Sequence, residues 1–147
     1  MTEAAWTVEF YIDGEGREPA KKWLEGLSEV KRDAAIAALT TVLARLGTAV
    51  CDTEWGKNLG GGLYELRIRH SAEETKAMFA DQPRGPRRQE VLLRVFFAVH
   101  GRRVVLLLGG YDKGRSPSER RQRQEIAAAR ERLADFKARR SRKSPSQ

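Results

Sequence analysis

Basic and apolar side chains alternate in the segment KNLGGGLYELRIRH, residues 57–70. Glu65, Arg67 and Arg69 fall on one parity, and apolar residues fall on the other. Because successive side chains of a strand point to opposite faces, the pattern predicts a strand with one charged and one apolar face. Two guanidinium groups on one face, with Lys57 upstream, suit the binding of phosphate groups. The glycines at 60–62 would let the chain turn tightly into this strand.

A further arginine, Arg94, interrupts the otherwise apolar segment VLLRVFFAV. A buried guanidinium is costly unless it is paired, so two interpretations are open from the residues alone. Arg94 either pairs with Glu65 on a neighbouring strand or lies beside Arg67 as a phosphate ligand. The charged face of residues 63–69 likewise has a plain alternative, a solubilising surface on which Glu65 and Arg67 pair.

A third apolar segment, VVLLLGGYDKG, ends in two glycines followed by Tyr111, Asp112 and Lys113. Small residues at this point could admit the backbone of a ligand, and Tyr111 could stack on a base. A glycine kink followed by a solvated turn explains the same residues, and taken alone it is the favoured interpretation. Neither histidine, His70 or His100, is predicted to be a main catalyst.

The composition indicates a folded, basic chain. The 147 residues carry 28 Lys+Arg against 20 Asp+Glu, a net charge of +8 that favours polyanionic partners such as nucleic acid. Cys51 is alone, so no intrachain disulfide can form, and a reducing cytoplasm is predicted. No apolar run approaches a membrane span, and the first residues show no signal pattern. The cysteine and histidine spacing, like the glycine spacing, predicts no metal and no small-molecule cofactor.

The order of elements predicts an α+β fold: a small, curved, mostly antiparallel sheet with an N-terminal helical hairpin and a C-terminal helix packed on it. Residues 6–12 are a first strand, Pro19 and Ser28 begin the two helices, and residues 71–90 are a possible short strand and a loop. The last helix is predicted to start at a capping box over 116–119. One domain over 1–138, an open second sheet face and a basic, frayed tail over 139–147 complete the prediction.

These segments together resemble the RelE/HigB toxin superfamily, in particular the phage-derived HigB-type toxins of type II toxin–antitoxin pairs. The resemblance runs through KNLGGGLYELRIR, LLRVFFAV, VVLLLGGYDKG and SPSERRQRQEIAAARERLADF, and includes WTVEFY and REPAKKWLEGL near the N-terminus. It implies a RelE-like fold and an mRNA interferase. Such a toxin is a metal-independent endoribonuclease that enters the ribosomal A site, cuts messenger RNA during translation and arrests growth.

The resemblance also implies roles for individual residues. The catalytic residues that it implies, position by position, are Lys57, Arg67, Arg94, Tyr111 and Lys113. The residues expected to contact RNA are Arg69, Arg87, Arg88 and Asp112. The family often has two lysines after the aromatic residue, and Asp112 stands where one of them would be. Whether Asp112 is catalytic or orients Lys113 is therefore open.

The implied partners are the ribosome with its bound message and a cognate helix-turn-helix antitoxin, whose acidic segment would complement the +8 charge. The competing hypothesis is a non-cleaving protein of the RelE/ParE fold that inhibits gyrase or blocks the ribosome or rRNA sterically. The set of basic residues on adjacent predicted strands favours RNA cleavage over gyrase binding, which needs no such set.

Overall fold

The computed structural model describes residues 5–83 and 91–143, and within them the chain forms one five-stranded sheet. Its strands are β1 (Thr7–Phe10), β2 (Gly56–Gly60), β3 (Leu63–Ile68), β4 (Leu93–His100) and β5 (Val104–Asp112). The strand order is β1-β5-β4-β3-β2, with β1 parallel to β5 and the other pairs antiparallel. The sheet is open and mixed, so the predicted α+β class with a mostly antiparallel sheet is confirmed.

Helices lie on both sides of this sheet. They are α1 (Pro19–Glu25), α2 (Glu29–Ala37), α3 (Ala44–Leu46), α4 (Ala72–Phe79) and α5 (Glu119–Lys143). A π-helical segment, Ala38–Leu43, joins α2 to α3, and a 3₁₀ turn, Gly47–Asp52, follows α3. The predicted N-terminal helical hairpin corresponds to α1 and α2. The last helix continues to Lys143, past residue 138, after which the sequence predicted a frayed tail.

Each face of the sheet carries its own apolar core. On one face, residues of α1, α2 and the π-helical segment pack on Leu66, Val95 and Leu107. On the other face, Ala129 and Leu133 of α5 pack on Phe96 and Leu108. The expectation of an open second face is therefore wrong, because the apolar seam of α5 is buried on that face.

The glycine turn between β2 and β3 behaves as the sequence predicted. Gly60, Gly61 and Gly62 have φ angles of 87°, 65° and 83°, a region that glycine adopts without steric cost. Arg130 of α5 donates hydrogen bonds to the carbonyl groups of Leu59 (2.9 Å) and Gly60 (3.0 Å). The last helix therefore holds the hairpin as well as covering the sheet.

Residues 72–79 are helical, whereas the sequence predicted a short strand and a loop there. Ser71 accepts a hydrogen bond from the Glu74 amide at 3.1 Å, and the Glu74 carboxylate accepts one from the Ser71 amide at 3.3 Å. This capping box satisfies two amides that a helix N-terminus otherwise leaves without partners. The sequence signal for this helix start is present in SAEE, although a short strand was predicted there.

The last helix begins two residues later than predicted. The Arg121 amide donates to the Ser118 hydroxyl at 3.1 Å, so Ser118 and not Ser116 is the N-cap. Pro117 therefore precedes the cap and does not occupy the first helical position.

The helical run Glu29–Asp52 is the one stretch of the described chain long and apolar enough to cross a membrane by length and composition. The run spans 24 residues and contains an 18-residue window of mean hydropathy 1.7, so the expectation that no apolar run approaches such a length is wrong. Half of the apolar window is buried inside the domain, where Ala35, Val42 and Leu43 belong to the core of the sheet. This packing accounts for the hydropathy of the run.

Replacing the α4 cap tests the new helix boundary. Ser71→Ala is expected to lower the free energy of unfolding by about 1 kcal/mol, because it removes the acceptor of the Glu74 amide. Ser28→Ala is the matched control, since Ser28 stands at the N-cap of α2 without a side-chain capping bond. The control is expected to change stability by less than about 0.5 kcal/mol in urea unfolding followed by circular dichroism. Equal losses in the two variants would contradict the capping box.

Candidate active site

Three of the predicted site residues form a row across the sheet. Arg67 of β3 pairs with Arg94 of β4, and Arg94 pairs with Tyr111 of β5. Directly opposed residues of neighbouring strands project to the same face, and Tyr111 belongs to the apolar cluster beneath α5. Lys57 of β2 is opposite Glu65 of β3, so it lies on the same face. The structure therefore brings the basic residues of three adjacent strands to the α5 side of the sheet.

A buried carboxylate, Glu65, lies among these cations. Its side chain is 0% exposed, and its Oε1 accepts a hydrogen bond from Arg67 Nε at 2.9 Å. Arg94 Nε is 3.8 Å from the same oxygen, close enough for an ion pair although not for a hydrogen bond. Of the two interpretations left open by the sequence, the structure therefore has the pairing of Arg94 with Glu65. The second carboxylate oxygen, Oε2, has no hydrogen-bond partner in the described part of the chain.

Arg94 is enclosed, whereas Arg67 reaches solvent. The Arg94 side chain is 3% exposed and donates to the Leu93 carbonyl at 3.2 Å, and 27% of the Arg67 side chain is accessible. Burial lowers the pKa of Arg94; Glu65 opposes this shift, and Arg67 and Arg69 add to it. In this conformation a phosphate at the surface can meet Arg67, while Arg94 lies behind it and holds Glu65.

The environment of Tyr111 does not suit a general base. Its ring stacks on Phe96, with centroids 6.1 Å apart, and the Arg121 guanidinium lies 5.7 Å from the Tyr111 centroid. Burial raises the pKa of the Tyr111 hydroxyl, and Glu65 raises it further. The positive charges of Arg94 and Arg121 act in the opposite direction and lower it. For Tyr111 burial outweighs the cations.

Lys113 has the environment that suits a base. It is half-buried in the turn that follows β5. Burial lowers the pKa of its amine, the positive charges of Arg94, Arg67 and Arg69 lower it further, and Glu65 opposes the shift. An amine whose pKa is lowered in this way loses its proton more easily than an ordinary lysine, and in the neutral form it can accept one.

Asp112 is on the other face of the sheet. Its carboxylate pairs with Lys31 of α2 at 2.5 Å, and its second oxygen accepts a hydrogen bond from the Arg115 amide at 3.2 Å. Its cross-strand neighbour, Leu93, belongs to the core on that face. The structure thus separates Asp112 from the row. Arg69 is half-buried at the end of β3, and Arg87 and Arg88 lie outside the described residues.

Side chains of the protein itself occupy the space beside the two glycines of β5. A Cβ on Gly110 would lie 2.6 Å from the Trp23 ring, and one on Gly109 would lie 2.6 Å from Arg132 Nη1. Arg132 also donates to the Leu108 carbonyl at 2.9 Å. Side chains of α1 and α5 therefore occupy the space in which the sequence suggested that a ligand could lie. The two glycines allow close packing of these side chains on β5 and do not admit a ligand.

Sequence reasoning treated Glu65 only as a partner, and it missed the contact of Arg121 with Tyr111. The parity of Glu65 with Arg67 was a signal for the former, whereas no local pattern connects residues 111 and 121. His70 lies between Glu54 (2.9 Å) and Glu74 (3.3 Å), away from the row. Within residues 5–83 and 91–143 no group of three or more histidine, cysteine or acidic side chains is placed to hold a metal ion.

Comparison of the chain with known protein families finds no matching family, and comparison with characterised proteins finds no significant match.

The buried ion pair can be tested by charge removal. Glu65→Gln is expected to lower the free energy of unfolding by roughly 3 kcal/mol, because Arg94 would remain buried without a counter-charge. Glu54→Gln is the matched control: Glu54 pairs with His70 but is 56% exposed, so a loss below about 1 kcal/mol is expected.

A double variant separates charge from packing in the same measurement. Glu65→Leu/Arg94→Met removes both charges while keeping apolar volume, and it is expected to recover most of the stability that Glu65→Gln loses. Chemical denaturation of all four proteins gives the comparison. A double variant less stable than Glu65→Gln would contradict the view that the uncompensated charge causes the loss.

Proposed function

We propose that the protein is an mRNA interferase with a RelE-like fold: a cytoplasmic, ribosome-dependent endoribonuclease and the toxin of a type II toxin–antitoxin pair. One observation carries the proposal, the cluster in which Arg67 and Arg94 pair with the buried carboxylate of Glu65 while Lys113 lies within electrostatic reach of all three. A cluster of cations that includes a deprotonatable amine suits the cleavage of a phosphodiester by its own ribose, without a metal ion.

The reaction begins when the 2′-hydroxyl oxygen of a ribose attacks the adjacent phosphorus. Its proton passes to the neutral amine of Lys113, whose lowered pKa favours this form. The bond from phosphorus to the 5′ oxygen then breaks and leaves a 2′,3′-cyclic phosphate. The departing 5′ oxygen takes a proton, for which Lys57 on the same face is the proposed donor.

The arginines stabilise the charge that develops on the phosphorane. Arg67 reaches solvent and donates its Nε–H to Glu65, so its terminal nitrogens remain to bind the non-bridging oxygens. Arg69 adds positive charge nearby, since it acts on both Arg94 and Lys113. Arg94 and Tyr111 are positioning residues in this mechanism, because both are enclosed beneath α5.

The proposed partners follow from the charge of the chain and from the small part of the cluster that reaches solvent. A positive surface of this kind orients an RNA only weakly, and the ribosome with its bound message would supply that orientation. A helix-turn-helix antitoxin with an acidic segment would neutralise the toxin, with association steered by the +8 charge.

A second candidate function is a non-cleaving protein of the RelE/ParE fold that blocks the ribosome, rRNA or gyrase sterically. The enclosure of the row favours it: Glu65, Arg94 and Tyr111 are each no more than 3% exposed. In this candidate the buried polar network has a structural role and holds β3, β4 and β5 together. This candidate predicts inhibition that survives the loss of Lys113.

Primer extension on translated messages distinguishes the two candidates. After induction, the wild type is expected to produce new 5′ ends, and Arg67→Ala and Lys113→Ala are expected to reduce them by roughly 10²-fold or more. Lys76→Ala, which removes an exposed charge outside the cluster, is the matched control. Growth arrest without new 5′ ends would contradict the nuclease and favour the steric blocker.

The pH dependence of cleavage tests the role of Lys113. The reactive form is the neutral amine, so the single-turnover rate on ribosome-bound message should rise with pH and level off below the ordinary lysine pKa of about 10.4. Arg69→Gln removes a charge that lowers the Lys113 pKa, so the profile should shift to higher pH. Lys113→Arg should remove the rise, because arginine stays protonated. An unchanged profile in Lys113→Arg would exclude Lys113 as the base.

A further inference from the structure

A basic cavity lies near the end of β5, apart from the row of Arg67, Arg94 and Tyr111. Its volume is about 580 Å³, and it is bordered by the α1–α2 turn, α2, the turn after β5 and the start of α5. Its lining includes Lys22, Trp23, Lys31, Asp112, Arg115 and Arg121. None of them is assigned to the cleavage chemistry proposed above.

The charges around this cavity do not balance. Four cationic side chains line it, against the single carboxylate of Asp112. That carboxylate is already engaged by Lys31 at 2.5 Å and by the Arg115 amide at 3.2 Å. Arg121 pairs with Glu125, at 3.1 Å. Like charges brought together around one concave surface attract an anion.

Two of the four cations make no direct ion pair within the described residues, although Lys22 also borders the neighbouring cavity that Asp13, Glu18, Glu131 and Asp135 line. Lys22 is in α1 and Arg115 is in the turn after β5, and both residues are exposed. The side chain of neither makes a hydrogen bond or ion pair with another residue in 5–83 or 91–143. These two ends are available to a phosphate oxygen.

The rest of the lining suits a nucleotide more than a bare anion. Trp23 supplies an aromatic wall, which its close packing on Gly110 holds in place. Ser28 borders the cavity at the N-cap of α2 without a capping bond, so the positive end of that nine-residue helix adds to the cationic side chains. Aromatic faces beside cationic groups are the usual means of holding single-stranded nucleic acid without reading its sequence.

We propose that this cavity binds a phosphate and the adjoining base of the RNA strand, next to the nucleotide that is cleaved. The inference rests on the proposed function and extends it to the path of the substrate. Arg121 connects the two regions, since it lies 5.7 Å from the Tyr111 ring centroid and also lines the cavity. The turn after β5 has Lys113 near the row and Arg115 at the cavity. A strand that crosses this turn therefore passes from one region to the other.

Binding to RNA that cannot be cleaved tests the inference separately from catalysis. The probe is a short, fluorescein-labelled single-stranded RNA with 2′-O-methyl riboses, measured by fluorescence anisotropy against the full-length protein over a salt series. For Lys22→Ala/Arg115→Ala, Kd is expected to rise, and the slope of log K against log salt is expected to fall by about 0.7 for each phosphate that the variant no longer neutralises.

Two further variants serve as controls. Arg45→Ala/Lys76→Ala removes the same number of exposed charges outside the cavity, and it is expected to leave the slope close to that of the wild type. Lys22→Arg/Arg115→Lys keeps the charges and is expected to retain binding. Thermal unfolding checks that all variants are folded.

The possible failures are distinguishable. If the wild type binds the RNA and Lys22→Ala/Arg115→Ala binds it equally well, the inference is wrong and the proposed nuclease stands. If the wild type does not bind the RNA, the inference is overturned, whereas the proposed nuclease takes its message on the ribosome and is judged by primer extension. Adenosine monophosphate is titrated as a second ligand. If Lys22→Ala/Arg115→Ala weakens the binding of this nucleotide but leaves the RNA affinity unchanged, the cavity is a site for free nucleotides and the inference is overturned.

Discussion

The buried ion pair between Glu65 and Arg94 constrains the rest of this structure. Each charge taken out of water costs several kcal/mol, and the cost is offset only if the partners stay in place. Glu65 also accepts the Arg67 hydrogen bond, so one carboxylate holds the facing arginines of β3 and β4. A slip of one residue in the β3–β4 register would turn these groups to the opposite core.

The last helix encloses the pair and thereby sets the chemistry of its neighbours. Beneath α5, burial raises the pKa of Tyr111, whereas at the rim of the cluster burial and cations together lower the pKa of Lys113. Near the same positive charges, the Tyr111 hydroxyl thus keeps its proton, whereas the Lys113 amine loses its proton more easily. Two titratable groups whose pKa values are shifted in opposite directions commonly serve as the acid and the base of an active site. Here the enclosed tyrosine takes a packing role.

Local patterns in the sequence were sufficient for much of the fold. The alternation over 63–68, the glycine turn before it, the apolar segments of β4 and β5 and the seam of α5 all predicted elements that the structure contains. Each of these signals depends only on the strand or helix period and on the allowed backbone angles of glycine. The same parity argument placed Arg67 and Glu65 on one face. Residues 72–79 were predicted incorrectly because the capping box of Ser71 and Glu74, the signal for a helix start, was missed.

Tertiary structure decided what depends on residues distant in the chain. Parity separates two faces of a strand, but it cannot say that α5 covers the face that carries Arg94. The sequence pattern likewise did not show which helix Asp112 faces, and the structure shows that it pairs with Lys31 of α2. The pKa shifts of Tyr111 and Lys113 come from burial and from charges on other strands, which no local pattern contains. The sequence by itself therefore determined the residue types of the site and their strands, and packing decided which of them can meet a substrate.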